Sequence, residues 1–195
     1  MPGVDDPLTL FQSWLEGARA EMGYDADAMV VATATPDGAP SARVVLLKGV
    51  DDRGLVFFTN YSSRKGSELA QNPRAALLFY WHPLGRQVRV EGAVSRVDRA
   101  ESEAYAHSRP RESQLSALAS PQSEVVPDRA WLERRVEELA REHPEGDLPL
   151  REDWGGFRVT PDTWEFWENR DNRLHDRVRY ERTASGDWNA RRLAP

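Results

Sequence analysis

The chain has 195 residues, a net charge of −6 and a pI near 5.3, which is long enough for one domain with a real core and short for two. An acidic whole excludes a nucleic-acid binder with a uniformly basic surface, so any anionic partner must meet a local cluster of Lys and Arg. The absence of cysteine excludes disulfides, thiolate metal sites and cysteine nucleophiles.

Hydrophobic residues at 39%, charged residues at 30% and seven tryptophans give an ordinary globular balance. The opening MPGVDDPLTL is acidic and has no basic segment before an apolar run, so a signal peptide is not expected. Apolar stretches such as Val44 to Leu47 fall far short of the roughly 20 residues that span a bilayer. The expectation is a cytoplasmic protein with no membrane or nucleic-acid partner.

In chain order, Asp6 followed by Pro7 reads as a helix cap with proline in the first turn, and Leu8, Phe11, Leu15 and Ala18 recur at helical spacing. From Ala28 the pattern becomes short β-rich runs between turns: AMVVATAT, SARVVLLK, LVFFTN, AALLFYW and RQVRVEGAV, with Gly92 marking a bulge. SSRKGSELAQNP interrupts them as a short helix capped by Ser62 or Ser63 and stopped at Asn72-Pro73. Residues 99–143 are helical in composition and broken at Pro110, Pro121 and Pro127, with Leu132, Val136 and Leu139 on one apolar face. Strands return as GGFRVT, WEFW, RVRYER and WNARRL, the last two joined across TASGD. Close antiparallel strands imply a mainly β fold, a barrel or strongly curved sheet with peripheral helices. The chain is expected to be a single domain over 1–195: an N-terminal helix in 1–27, barrel strands in 28–98, a helical section in 99–143 and C-terminal strands in 154–195.

Four places concentrate anion-binding residue types. Arg43 and Lys48 lie on one predicted strand, where strict alternation puts them on opposite faces unless a twist or bulge intervenes. Arg64 and Lys65 occupy the first turn of the short helix, whose free N–H groups already favour an anion; the plain alternative is a solvated basic turn. Tyr105 and Arg109 share a helix face, and Ser113 continues it if the turn at Pro110 allows, giving either a phosphate cradle or an ordinary polar helix surface. Arg173, His175 and Arg177 share one face if NRLHDR is a strand, and pairing with Asp171, Asp176 or Glu181 is the alternative to an anionic ligand. His82, His107, His143 and His175 are scattered without metal-ligand spacing, and no nucleophile elbow, Walker A loop or GxGxxG is present. Among enzyme readings, a bound organic cofactor is therefore favoured.

In order, SARVVLLKG, FFTNYSSRKGSEL, NPRAALLFYW, RQVRVEG, HSRPRESQ, SPQS, WGGFRV, EFW, RLHDR and the terminal RLAP are similar to the pyridoxamine 5′-phosphate oxidase family, from about Asp6 to Pro195. That resemblance implies an FMN-binding split barrel working as a homodimer, with the flavin at the subunit interface. It implies that FMN is held by Arg43, Val44, Val45, Leu46, Phe58, Thr59, Arg64, Lys65 and Gln87, with Gln122, Ser123, Trp167 and Arg177 completing the site. Lys48, Tyr105, Arg109 and Ser113 would meet the substrate phosphate, and Arg173 and His175 would lie over the pyridine ring opposite the flavin as the catalytic pair. The implied reaction oxidises pyridoxamine 5′-phosphate or pyridoxine 5′-phosphate to pyridoxal 5′-phosphate, with hydride passing to flavin and O2 reduced to H2O2.

Three departures stand out. An Arg-x-x-Tyr arm, frequent in the family, has no counterpart in the stretch before DPLTLF. Ser116 and Leu118 stand where glycine and tryptophan are common, and Asn169 and Arg170 where small residues are frequent, which adds a cation near the mouth of the site. Two further readings are a related flavin oxidase of the phenazine-biosynthesis type and a split barrel that binds flavin or pyridoxal phosphate without turnover.

Overall fold

A computed structural model describes residues 6–195; the remainder of the acidic opening lies outside the described residues. Helix α1 (Pro7–Met22) starts where Asp6 accepts hydrogen bonds from the N–H groups of Leu8 and Thr9, and Pro7 sits where its missing N–H has no helical partner to lose. Phe11, Leu15 and Ala18 are buried as the spacing predicts, joined by Trp14. A 3₁₀ turn over Gly23–Asp27 delivers the chain to the sheet.

The described residues form nine strands: β1 (Ala28–Ala34), β2 (Pro40–Leu46), β3 (Gly49–Asp51), β4 (Gly54–Asn60), β5 (Arg74–Trp81), β6 (Arg86–Arg96), β7 (Trp154–Glu168), β8 (Asp176–Arg182) and β9 (Trp188–Arg192). They pair antiparallel in the order β2-β1-β5-β6-β7-β4-β3, with β8 and β9 continuing from β7. The link after β2 closes the curl: Leu47 N–H donates to Asp27 O and Lys48 N–H to Val56 O, both at 2.8 Å, joining the two ends of the sheet. Inside, Phe11 packs 5.0 Å from Phe79 and 5.1 Å from Trp164, ring to ring, in a core with Trp81, Phe57 and Phe166. The fold is the expected antiparallel split barrel with helices outside it.

The split lies in β7. GGFRVT and WEFW, read from sequence as separate strands, are one strand of 15 residues. Its first half pairs with β4 and its second with β8, while β6 runs along the other side of both. The change occurs at Pro161, which has no N–H for a ladder, opposite the register shift between Glu91 and Gly92. A Cβ at Gly92 would penetrate the Thr160 carbonyl, so the backbones meet there only with glycine.

Helix α2 (Arg64–Gln71) is capped by Ser63 and ends at Asn72. The middle section forms α3 (Arg99–Ser108), α4 (Arg111–Ala119) and α5 (Arg129–Glu142), broken near the three prolines. Leu139 and Val136 of α5 pack with Leu115 and Leu148 in a small second core, which also takes Leu118. NRLHDR is not a strand throughout: Asp171–Arg173 is a turn with left-handed backbone at Asn172 (φ 54) and Arg173 (φ 63), and β8 begins at Asp176. Arg173, His175 and Arg177 therefore do not share one strand face.

Candidate functional site

The described residues enclose an open cleft of about 990 Å3 between β2, the end of β4, the start of α2 and helices α3 and α4. That is at the upper end of typical small-molecule sites, which run from roughly 300 to 1,000 Å3. Strand β2 contributes Arg43, Val44, Val45 and Leu46; β4 contributes Phe58 and Thr59; α2 contributes Arg64 and Lys65. Gln122 and Ser123 enter from the loop after α4, the latter with left-handed backbone (φ 75). Lys48, Tyr105, Arg109 and Ser113 line the same cleft. Lys48 does not belong to the strand of Arg43, because β2 ends at Leu46; the face alternation expected between them does not apply, and both reach the cleft. Arg109 is the residue that ends α3, in extended backbone, so it shares the cleft with Tyr105 without sharing a helical turn.

Lys65 is the most constrained cation. Its side chain is buried, and its ammonium donates to Thr59 Oγ1 at 2.7 Å, Gln122 Oε1 at 2.9 Å and Ser63 Oγ at 3.1 Å. All three partners are neutral. Burial, with the nearby charge of Arg43, lowers its pKa from the usual lysine value to about 8. A buried ammonium with only neutral partners is electrostatically complementary to an anion.

Arg43 and Arg64 differ in that both reach Glu68, a buried residue that sequence reading missed. Arg64 Nε donates to Glu68 Oε1 at 2.9 Å, and an Arg43 amino group stands 3.5 Å from Oε2. Thr33 and Ser41 also donate to Oε2. Burial alone pushes this carboxyl up, but hydrogen bonds from Ser41, Thr33 and Arg64 outweigh it and hold the pKa at about 2. The signal available in sequence was the i,i+4 spacing of Arg64 and Glu68.

Tyr105 and Arg109 sit among aromatic rings. Phe58 stacks on Tyr105 at 3.9 Å, and Trp154 lies beyond at 5.7 Å from Phe58. The Arg109 guanidinium stands 5.4 Å over the Trp154 ring and donates to the Ser113 carbonyl at 2.9 Å. Lys48 donates to Tyr24 Oη at 3.2 Å. Ser116 lines the cleft, whereas Leu118 packs into the small second core.

Gln87, Trp167, Arg173, His175 and Arg177 do not line this cleft. Gln87, Trp167 and Arg177 instead stand side by side across β6, β7 and β8, and the His175 ring packs 4.7 Å from Trp167. Arg177 is held by Glu165 Oε1 at 2.8 and 3.0 Å, not by the acids expected from sequence. Arg170 adds no unpaired cation: it bonds Glu168 at 2.6 Å and Asp176 at 2.8 Å. Its backbone N–H donates to His175 Nδ1 at 3.2 Å, which leaves Nε2 as the donor of the neutral ring. One chain thus carries two clusters, a cleft and a separate row across β6, β7 and β8.

Comparison with known proteins bears on both clusters. The family model described as pyridoxamine 5′-phosphate oxidase matches residues 17–142, and one described as the pyridoxine 5′-phosphate oxidase C-terminal dimerisation region matches residues 154–195. The chain is 52% identical over 194 residues to a pyridoxine/pyridoxamine 5′-phosphate oxidase of Salinibacter ruber, covering 98% of this chain and 90% of the relative. It is 54% identical over 194 residues to the similarly named protein of Rubrobacter xylanophilus, covering 99% and 89%. Among solved structures, PhzG from Burkholderia lata 383, in complex with tetrahydrophenazine-1-carboxylic acid, superposes with TM-score 0.93 at 34% identity, covering 100% of this chain and 95% of that one. A pyridoxamine 5′-phosphate oxidase-related, FMN-binding protein from Nostoc punctiforme shares the fold at TM-score 0.78 and 18% identity, covering 97% and 98%. The chain belongs to the pyridoxamine 5′-phosphate oxidase family.

Proposed function

We propose that this protein oxidises pyridoxamine 5′-phosphate, or pyridoxine 5′-phosphate, to pyridoxal 5′-phosphate, using FMN and O2 and releasing H2O2. The observation that carries the reading is that one cleft is lined by two sets of anion-binding residue types: Arg43, Arg64 and Lys65 from β2 and the start of α2, and Lys48, Arg109 and Ser113 from the link after β2, the end of α3 and α4. Two phosphates in one cleft fit a flavin mononucleotide beside a phosphorylated vitamer. The buried Lys65 ammonium, without a counter-ion, fits the flavin phosphate, and Thr59 and Gln122 orient it. When bound, the flavin supplies the hydride acceptor and the route of electrons to O2.

The protein's own share is alignment. Arg109, held by the Ser113 carbonyl and the Trp154 ring, and Lys48, held by Tyr24, would anchor the substrate phosphate. Fixing one end of the substrate sets its reacting carbon against the cofactor, and such positioning is worth roughly 7 to 11 kcal/mol in ideal cases. In a homodimer, the Gln87–Trp167–Arg177 row of one protomer would complete the flavin site in the cleft of its partner, and Arg173 and His175 would cover the substrate. The match of residues 154–195 to a dimerisation region supports this arrangement. Lys48, Arg109 and Ser113 in one cleft favour a phosphorylated substrate over an unphosphorylated aromatic one, which would forgo their charge-assisted hydrogen bonds.

Purified protein is expected to be yellow and to form pyridoxal 5′-phosphate and peroxide from pyridoxamine 5′-phosphate, and to turn over pyridoxamine poorly. Flavin retention with no turnover of either phosphorylated vitamer would instead support a binding protein.

A further inference from the structure

Glu68 is the buried acid directly behind the cleft. It lies on α2 one turn after Arg64 and does not line the cleft, yet both arginines that it touches do. Its oxygens divide the work: Oε1 accepts from Arg64, while Oε2 faces Arg43 and accepts from Ser41 and Thr33. Arg43 comes from β2 and Arg64 from α2, so the carboxylate ties together two elements that are distant in sequence. The second amino group of Arg43 is fixed in turn by Thr33 Oγ1 at 2.6 Å and the Val31 carbonyl at 3.2 Å.

This arrangement constrains what Glu68 does. Its acceptor sites are occupied and it is shielded from the cleft, so it is not placed to meet a ligand. A buried carboxylate is tolerated only when paired, and here the pairs are guanidinium groups that line the cleft. Arg43, Arg64 and Lys65 carry three positive charges and Glu68 one negative, leaving a net of two, close to the −1.5 to −2 of a phosphate monoester at neutral pH.

We propose that Glu68 is a positioning residue: it holds Arg43 and Arg64 together as one clamp for a terminal phosphomonoester and sets the charge of that clamp. The proposal rests on the flavin reading above. It makes Glu68 responsible for recognition of the phosphate and not of the flavin ring.

The test compares FMN with riboflavin, which has the ring and no phosphate, by fluorescence titration of apoprotein. The readout is the ratio of the two affinities, which general loss of folding does not move. Glu68→Ala is expected to lower the FMN preference by about tenfold or more, the size of one lost charge-assisted interaction, with riboflavin affinity unchanged. Glu68→Gln keeps an acceptor without the charge and is expected to fall between parent and Ala, and it carries the test if the Ala variant does not fold. An unchanged ratio in the Gln variant, or equal weakening of FMN and riboflavin, overturns the proposal. A parent protein with no preference for FMN over riboflavin would instead overturn the flavin-phosphate reading itself, and this inference with it.

Discussion

The Lys65 ammonium donates to the Gln122 side-chain oxygen at 2.9 Å, tying the first turn of α2 to the loop after α4. Thr59 donates to that same oxygen at 2.8 Å, so β4, α2 and the loop meet at one acceptor. Nothing in this knot is negative, which makes it costly without an anionic ligand.

Replacing Lys65 by methionine separates stability from function. The lowering of its pKa from 10.5 to about 8 corresponds to a folded-state cost on the order of 3 kcal/mol, partly offset by the hydrogen bonds that methionine loses. The ligand-free Lys65→Met protein is expected to melt a few degrees higher than the parent while binding FMN at least about tenfold more weakly. Calorimetric melting and flavin titration check both; a lower melting point with intact FMN affinity would contradict the assignment.

The same lysine sets a pH dependence. Its folded pKa lies below its unfolded value, so the unfolded chain holds the proton more tightly between about pH 8 and 10.5. The contribution of Lys65 to the stability of the ligand-free protein therefore rises with pH across that window, and below it the cost of the buried charge is fully present. A bound phosphate restores a counter-charge and raises this pKa. FMN binding is then expected to take up a proton near pH 8 to 9, seen as a buffer-dependent heat in titration calorimetry and absent in Lys65→Met.

Arg109 and Arg177 are expected to fail in different ways. Arg109→Ala should raise KM for the phosphorylated substrate about tenfold or more and leave flavin content alone. Arg177→Ala should lose flavin first. Steady-state kinetics beside the flavin-to-protein absorbance ratio distinguish them, and an exchange of the two phenotypes would reverse the assignments.

Gly66 follows Lys65 in the tight turn that starts α2. A Cβ there would lie 2.6 Å from the Tyr61 carbonyl carbon and closer still to its oxygen. Gly66→Ala must therefore shift the start of the helix, at about 1 to 3 kcal/mol of stability, and displace Lys65 with it. Both a lower melting point and weaker FMN binding are expected, in contrast to Lys65→Met, which raises the first and loses the second.

Local chemistry made much of this legible. The caps at Asp6 and Ser63, the bulge at Gly92 and the breaks at the prolines depend on neighbours in sequence, and they stand where expected. Tertiary pairing did not show. The two runs in β7 are one strand because β6 spans both, despite Pro161 between them. Arg173, His175 and Arg177 would share one face only if NRLHDR were a strand throughout, and the left-handed backbone at Asn172 and Arg173 makes its first part a turn. Glu68 escaped notice because its partners Thr33, Ser41 and Arg43 come from β1 and β2. Gln87, Trp167 and Arg177 rest on resemblance alone: within one chain they stand across β6, β7 and β8 outside the cleft, and they would complete a cleft only in the proposed arrangement in which two chains share one site.

Mixing two defective chains tests that most directly. Lys65→Met damages the cleft and Arg177→Ala damages the row on β8, so a mixed dimer holds one site with both lesions and one with neither. After subunit exchange in equal amounts, half the dimers are mixed, and activity should recover to about a quarter of the parent. Mixed dimers that form yet show no activity above the separate variants would contradict a site shared between protomers.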